Sequence, residues 1–184
     1  MEEITVNTHH LANQIEKFIS DFKSQAKIKI SSEKDLLLDT GGGVKKGTKE
    51  FNDNPFFVIN PDTLWSDKYS EEVQSLEKEY FTNKRPCLLL VKKELSLDNS
   101  FKGDFNLKNN LISKDEKNQF IFTGLQIMKN DHLAFFNKNI FSMNEVWKKL
   151  INEKNLGGLE SNQKFYHLNT IEMFEKISSL SSID

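Results

Sequence analysis

Apolar positions in the first half of the chain switch between two periods. Ile4 and Val6 sit among polar neighbours as in a strand. Leu11, Ile15, Phe18, Ile19 and Phe22 then recur at helical spacing, and residues 26–30 alternate again. This is a β-α-β rhythm. A glycine-rich run, Leu38-Asp39-Thr40-Gly41-Gly42-Gly43-Val44, follows, with a helix predicted over 44–51. A strand at 56–59, a charged, moderately amphipathic helix over 70–81 and a buried strand at 87–91 continue the alternation. Such a pattern predicts an open, mostly parallel α/β sheet covered by helices, with ligands beyond the carboxyl ends of its strands.

From Gly103 the pattern changes. Asp104-Phe105-Asn106-Leu107, a turn at Asn109-Asn110, and the runs Phe120-Ile121-Phe122 and Leu125-Gln126-Ile127-Met128 predict antiparallel pairing, a wall or lid on the first half. A helix over 143–153 carries Val146, Trp147, Leu150 and Ile151 on one face, with Ser142 as its cap. The strand-like run Phe165-Tyr166-His167-Leu168 and a helix over 171–177 close the chain. One domain spanning 1–177 and a frayed tail over 178–184 are expected.

Composition narrows the function classes. The chain has 184 residues, long enough for a substantial core, and 25 basic against 27 acidic residues give a net charge of −2. Arg85 is the only arginine, so there is no basic stripe for sequence-independent nucleic-acid binding. No stretch approaches the length of a membrane span, and the start lacks the positive region of a signal peptide; the chain reads as cytosolic, with no membrane partner. Cys87 lies inside an apolar run and reads as a small core hydrophobe.

Two motifs carry chemistry. Asp62 follows the apolar strand Phe56-Phe57-Val58-Ile59 through Asn60-Pro61, and a strand-end aspartate can hold Mg²⁺ against a triphosphate; the same tripeptide is also a common turn. Three consecutive glycines before a helix are either a flexible turn or a place where orphan amides meet a flat base or an anion. His9 and His10 point about 100° apart on a helix start, so a shared ion is disfavoured and capping by Asn7 or Thr8 is expected. Phe135, Phe136 and Phe141 read as core, and His167 within its aromatic run as a satisfied core or rim residue.

The series Val6-Asn7-Thr8-His9-His10-Leu11, Leu38-Asp39-Thr40-Gly41-Gly42-Gly43-Val44, Pro55-Phe56-Phe57-Val58-Ile59-Asn60-Pro61-Asp62, Gly103-Asp104-Phe105, Phe122-Thr123-Gly124-Leu125-Gln126 and Tyr166-His167-Leu168-Asn169-Thr170 resembles the sugar-1-phosphate nucleotidyltransferases over nearly the whole chain. The resemblance implies a Rossmann-like, doubly wound sheet with an antiparallel sugar-binding extension. It implies a nucleoside triphosphate, UTP or GTP, joined to a sugar 1-phosphate with release of pyrophosphate. It assigns Asn7, Thr40, Gly41, Gly42 and Gly43 to the nucleotide, Gly103, Asp104, Thr123 and Gly124 to the sugar, and Asp62 with His167 to Mg²⁺, Asp62 being the catalytic metal ligand. Asn60-Pro61-Asp62 stands where the family has Asn-Gly-Asp, His167 where it often has a second aspartate, and Asn169 where it has glycine. The family's first strand, with its arginine-bearing phosphate loop, has no counterpart here; its lysine downstream of that loop is missing too. The expectation is therefore a chain incomplete or inactive alone, either completed by a separate polypeptide or the remnant of a disrupted gene, with a noncatalytic nucleotide-sugar-binding or interaction module as the alternative.

Overall fold

A computed structural model describes residues 2–180; residues 181–184 of the expected tail lie outside it. The chain begins β1 (Glu3–Thr8), α1 (Ala12–Asp21), β2 (Lys27–Ser32) and α2 (Asp39–Gly47). It continues through β3 (Phe56–Ile59), α3 (Tyr69–Asn83), β4 (Cys87–Lys92), β5 (Asn106–Lys108), β6 (Leu111–Ser113) and β7 (Phe120–Met128). It ends with α4 (Met143–Asn152), β8 (Gly157–Ser161) and α5 (Ile171–Ser178). Two compact units result, one from the residues up to Pro55 with Lys129–Lys149, the other from Phe56–Met128 with the residues from Leu150 on. Among the described residues no helix is long and apolar enough to cross a membrane.

In the first unit β1 and β2 pair in parallel, Val6 opposite Ile30, with α1 as the crossover between them. Ala12 is buried, while Phe18 and Phe22 stack on each other at 5.8 Å and stay exposed. No side chain caps α1: its N-cap is Leu11, at φ 53°, and Asn7 is turned to other work. The glycines differ from expectation too. Gly41, Gly42 and Gly43 are not a loop before a helix but lie inside α2, all three buried.

The second unit is a six-stranded mixed sheet in the order β3-β7-β4-β8-β6-β5. β3, β4, β8 and β5 run one way and β7 and β6 the other, so most strands share a direction although β7 intervenes between β3 and β4. β4 is central, and its run Cys87-Leu88-Leu89-Leu90-Val91 is buried throughout because both its faces are covered. Burial pushes the Cys87 thiol up to about 12, which leaves it protonated and inert. The Asn109-Asn110 turn, at φ 52° and 55°, joins β5 to β6 in the left-handed geometry that tight hairpins need.

The two apolar runs expected as separate strands, 120–122 and 125–128, form the single strand β7, with a register shift against β4 between Leu88 and Leu90. β8, Gly157-Gly158-Leu159-Glu160-Ser161, is absent from the sequence reading because its glycines and charge disfavour a strand. The glycines let the strand pack closely, since a Cβ on Gly157 would lie 3.0 Å from Arg85 Nε and one on Gly158 2.9 Å from Ile112 Cγ1. The run 165–168 forms isolated bridges, Ser96 to Phe165 and Thr63 to His167, instead of a strand.

α3 lays Tyr69, Leu76 and Tyr80 on Cys87, Leu89, Leu125 and Ile127. At its start Glu72 accepts from the Ser161 hydroxyl at 2.8 Å, while its other oxygen is enclosed with no close hydrogen-bond partner among the described residues. Burial, only partly offset by Ser161, holds the Glu72 carboxyl above the ordinary carboxylate range. The folded chain then binds a proton that the unfolded chain has lost, so stability falls as pH rises through that interval. Glu72→Gln keeps the acceptor for Ser161 and removes the charge. Thermal unfolding from pH 4 to 8 should show a higher midpoint for the variant at pH 7 and a flatter pH dependence.

Candidate functional site

β3 ends at Ile59, and the turn that follows is held from two sides. The Asn60 amide donates to the Gly124 carbonyl at 2.8 Å, and the Thr63 hydroxyl to the Thr123 carbonyl at 2.8 Å. On the other side the Leu64 amide donates to the Tyr166 carbonyl at 3.0 Å and the Leu168 amide to the Asp62 carbonyl at 2.6 Å. Asp62 and His167 are thereby brought face to face, Nε2 to Oδ2 at 3.1 Å. His167 is not a satisfied core histidine: its Nδ1 and the Asp62 Oδ1 are both enclosed with no hydrogen-bond partner among the described residues. Such atoms mark a place for an ion, a water or a ligand.

Of the residues assigned to the sugar, Thr123 and Gly124 brace this turn, while Gly103 and Asp104 contact Asn118 and Phe122. Thr123 is buried and its hydroxyl donates to the Leu89 carbonyl at 3.0 Å, so its side chain builds the sheet. Gly124 has φ +93°, and a Cβ there would come within 2.7 Å of the Asn60 Cβ. Asp104 accepts from the Phe122 amide at 2.9 Å, and Gly103, at φ +87°, packs against the Asn118 carbonyl. Asp98 was not singled out in the sequence. The Ser100 hydroxyl and amide hold its carboxyl below the usual range, with smaller contributions from Asn169 and His167.

The residues assigned to the nucleotide gather in the first unit. Asn7 Nδ2 donates to Glu33 Oε1 at 2.7 Å, and the Leu38 amide donates to Glu33 Oε2 at 3.0 Å. Glu33 is only 6% exposed and also went unnoticed in the sequence, although it follows the carboxyl end of a parallel strand, the position that marked out Asp62. Gly41 and Gly42 both donate their amides to the Phe141 carbonyl, at 2.9 and 3.0 Å. The amides predicted to face a ligand are therefore occupied by the chain itself. A Cβ on Gly42 would fall on the Asn139 carbonyl oxygen, and one on Gly43 would lie 2.8 Å from Glu33 Oε1. Thr40 accepts from the Met143 amide at 2.9 Å. Ser142 caps α4 as expected, accepting from the Asn144 amide at 3.2 Å while Glu145 accepts from the Ser142 amide at 3.3 Å. Phe141 is buried and stacked on Phe136 at 4.7 Å, whereas Phe135, expected in the core, is 66% exposed with the Lys149 ammonium over its ring.

Three of the cations, the arginine and the two lysines of α2, are engaged within the chain. Arg85 pairs with Glu79 at 3.1 Å, Lys45 donates to the Phe136 carbonyl at 2.6 Å, and Lys46 donates to the Ser32 carbonyl. His9 Nδ1 lies 2.8 Å from the Glu33 carbonyl oxygen. Among the described residues no group of three or more His, Cys, Asp or Glu side chains can enclose a metal. The Asp62 turn fits Mg²⁺ nonetheless, because that ion is commonly held by one or two carboxylates together with substrate phosphates, and Oδ1 is shielded and unpaired.

No family model matches the chain. Over 176 residues it is 24% identical to the N-acetylmuramate alpha-1-phosphate uridylyltransferase of Caulobacter vibrioides, covering 91% of this chain and 73% of that protein. Its fold matches a putative glucose-1-phosphate thymidylyltransferase from Bacillus anthracis solved with a sucrose, with a TM-score of 0.75, 15% identity, and 97% and 75% of the two chains covered. HddC from Yersinia pseudotuberculosis, complexed with GMP-PN, gives 0.70 at 17% identity over 95% and 75%.

The positive φ of Gly124 and its contact with Asn60 generate a stability prediction. Gly124→Ala should destabilise the chain by roughly 1–3 kcal/mol, from backbone strain and the clash together. Denaturant unfolding measures the loss, and the Asp62 amide resonance should shift with it.

Proposed function

We propose that this chain, which has the fold of the sugar-1-phosphate nucleotidyltransferases, forms the nucleotide and sugar-phosphate site of such an enzyme in the cytosol. The single observation that carries the reading is the Asp62 turn, a carboxylate at the end of a strand with one oxygen shielded and unpaired. In the reaction a phosphate oxygen of the sugar 1-phosphate attacks the α-phosphorus of the nucleoside triphosphate. The bond from that phosphorus to the bridging oxygen breaks, and pyrophosphate leaves. Mg²⁺, when bound, neutralises charge on the phosphates. Asp62 would hold it, with His167 beside it, and the chain otherwise contributes placement.

Asn7, Thr40 and the glycines at 41–43 are assigned to the nucleotide. The glycines act there by letting the 139–141 segment pack closely, since the amides of Gly41 and Gly42 are taken. Gly103, Asp104, Thr123 and Gly124 are assigned to the wall on which the sugar rests. Similarity to a uridylyltransferase and to a protein solved with a guanine nucleotide supports UTP or GTP as the triphosphate.

Charge favours a second element. Losing one well-placed donor in such chemistry typically costs 10²–10³ in rate, and Arg85, Lys45 and Lys46 are all bound elsewhere. We assign the phosphate grip to a glycine-rich, arginine-bearing segment outside these residues. The same observation supports a noncatalytic nucleotide-sugar-binding module as the second reading.

Titration calorimetry with UTP and GTP should show weak binding that depends on Mg²⁺, and Asp62→Asn should abolish that dependence with the fold intact. Unchanged affinity in Asp62→Asn would reduce Asp62 to a turn residue. In a pyrophosphate-release assay the chain alone should be silent and gain activity when a peptide carrying the strand and arginine loop is added. Silence in both cases, with binding retained, favours the binding module.

A further inference from the structure

The geometry points to His167 as a positioning residue that acts through Asp62, holding one carboxylate oxygen so that the other faces a divalent cation, and not as a ligand of that cation. The inference rests on the metal reading proposed above. His167 Nε2 lies 3.1 Å from Asp62 Oδ2. A carboxylate oxygen accepts, so Nε2 carries the hydrogen, and a neutral ring then has a bare lone pair at Nδ1. The nitrogen beside Asp62 is thus committed as a donor and has no lone pair for an ion that Asp62 binds. The oxygen left over is Oδ1, enclosed and without a hydrogen-bond partner among the described residues.

The imidazole is held in this orientation by its neighbours. Phe165 stacks on it at 5.9 Å and 18°, and Phe101 meets it at 5.6 Å and 60°. The two phenylalanines also pack on each other at 6.0 Å, joined to the cluster of Val91 and Ile121. The Leu168 amide, bonded to the Asp62 carbonyl at 2.6 Å, fixes one backbone against the other. A ring flip that exchanged the nitrogens would have to open this box. In many metal sites a carboxylate orients a ligating histidine; here the order is reversed, with the histidine as the outer partner that orients a ligating carboxylate.

Two measurements on the full chain test the inference. Long-range ¹H–¹⁵N correlation should find His167 as the Nε2–H tautomer without metal, and its ring-nitrogen shifts should stay in place at saturating Mg²⁺. With Mn²⁺ as the calorimetric probe, His167→Ala should weaken binding about 10–100-fold, the range for loss of an outer partner. His167→Gln, whose amide can donate to Oδ2, should keep most of the affinity. Equal loss in both variants, or a ring nitrogen that moves into the metal-bound range with Mg²⁺, would overturn the positioning role. An Nδ1–H tautomer overturns it whatever the Mn²⁺ result. Failure of the unsubstituted chain to bind Mn²⁺, with the Nε2–H tautomer observed, instead removes the metal reading and leaves the His167–Asp62 contact standing.

Discussion

A functional carboxylate just past the end of a strand has no ladder of its own, so its turn must be fixed by whatever lies beside it. In this chain that support is the pair of backbone brackets around Asn60-Pro61-Asp62: Gly124 and Thr123 of β7 on one side, Tyr166 and Leu168 on the other. Pro61 contributes rigidity and no amide. Gly124 has a left-handed φ and lacks the Cβ that would push Asn60 away, which makes a glycine in the middle of β7 a condition for the position of Asp62. Thr123 and Gly124, two of the residues that resemble a sugar wall, are thus first the residues that hold the Asp62 turn in place.

The glycine run obeys a different constraint. Three consecutive glycines inside a helix cost roughly 1 kcal/mol each relative to alanine, so α2 needs compensation from its surroundings. It comes from close approach. The Phe141 carbonyl closes the first turn by taking two amides, the Asn139 carbonyl lies where a side chain on Gly42 would be, and Glu33 and Asn7 crowd Gly43. Glu33 holds the end of β1 and the entry to α2 at once through Asn7 and the Leu38 amide. A buried carboxyl group held by two donors fixes these pieces relative to one another, since losing either donor would leave a buried oxygen without its hydrogen bond.

Much of this was legible in the sequence, and the reasons are local. Periodicity located β1, α1, β3, α3 and α4 because each carries an apolar pattern of its own, and Asn109-Asn110 announced a hairpin by its tolerance of positive φ. Order along the chain also carried the resemblance, since short motifs in collinear register survive divergence that erases overall identity. What stayed hidden depended on partners far away in the chain. β8 has weak strand propensity and is a strand because β4 and β6 flank it. Glu33 and Asp98 look like ordinary surface acids until the strand ends and loops around them close.

The sequence by itself determined the alternation of strands and helices from β1 to β4, the burial of the run from Cys87 to Val91 and the placing of an aspartate at the end of β3. Those properties follow from side-chain period and polarity, which act between near neighbours. Only the tertiary structure decided that the Gly41 and Gly42 amides belong to Phe141, that β7 runs unbroken through Gly124, and that His167 meets Asp62 with one lone atom left on each. A hydrogen bond or a clash between residues far apart in sequence is set by how the chain closes in space, and no local pattern encodes it.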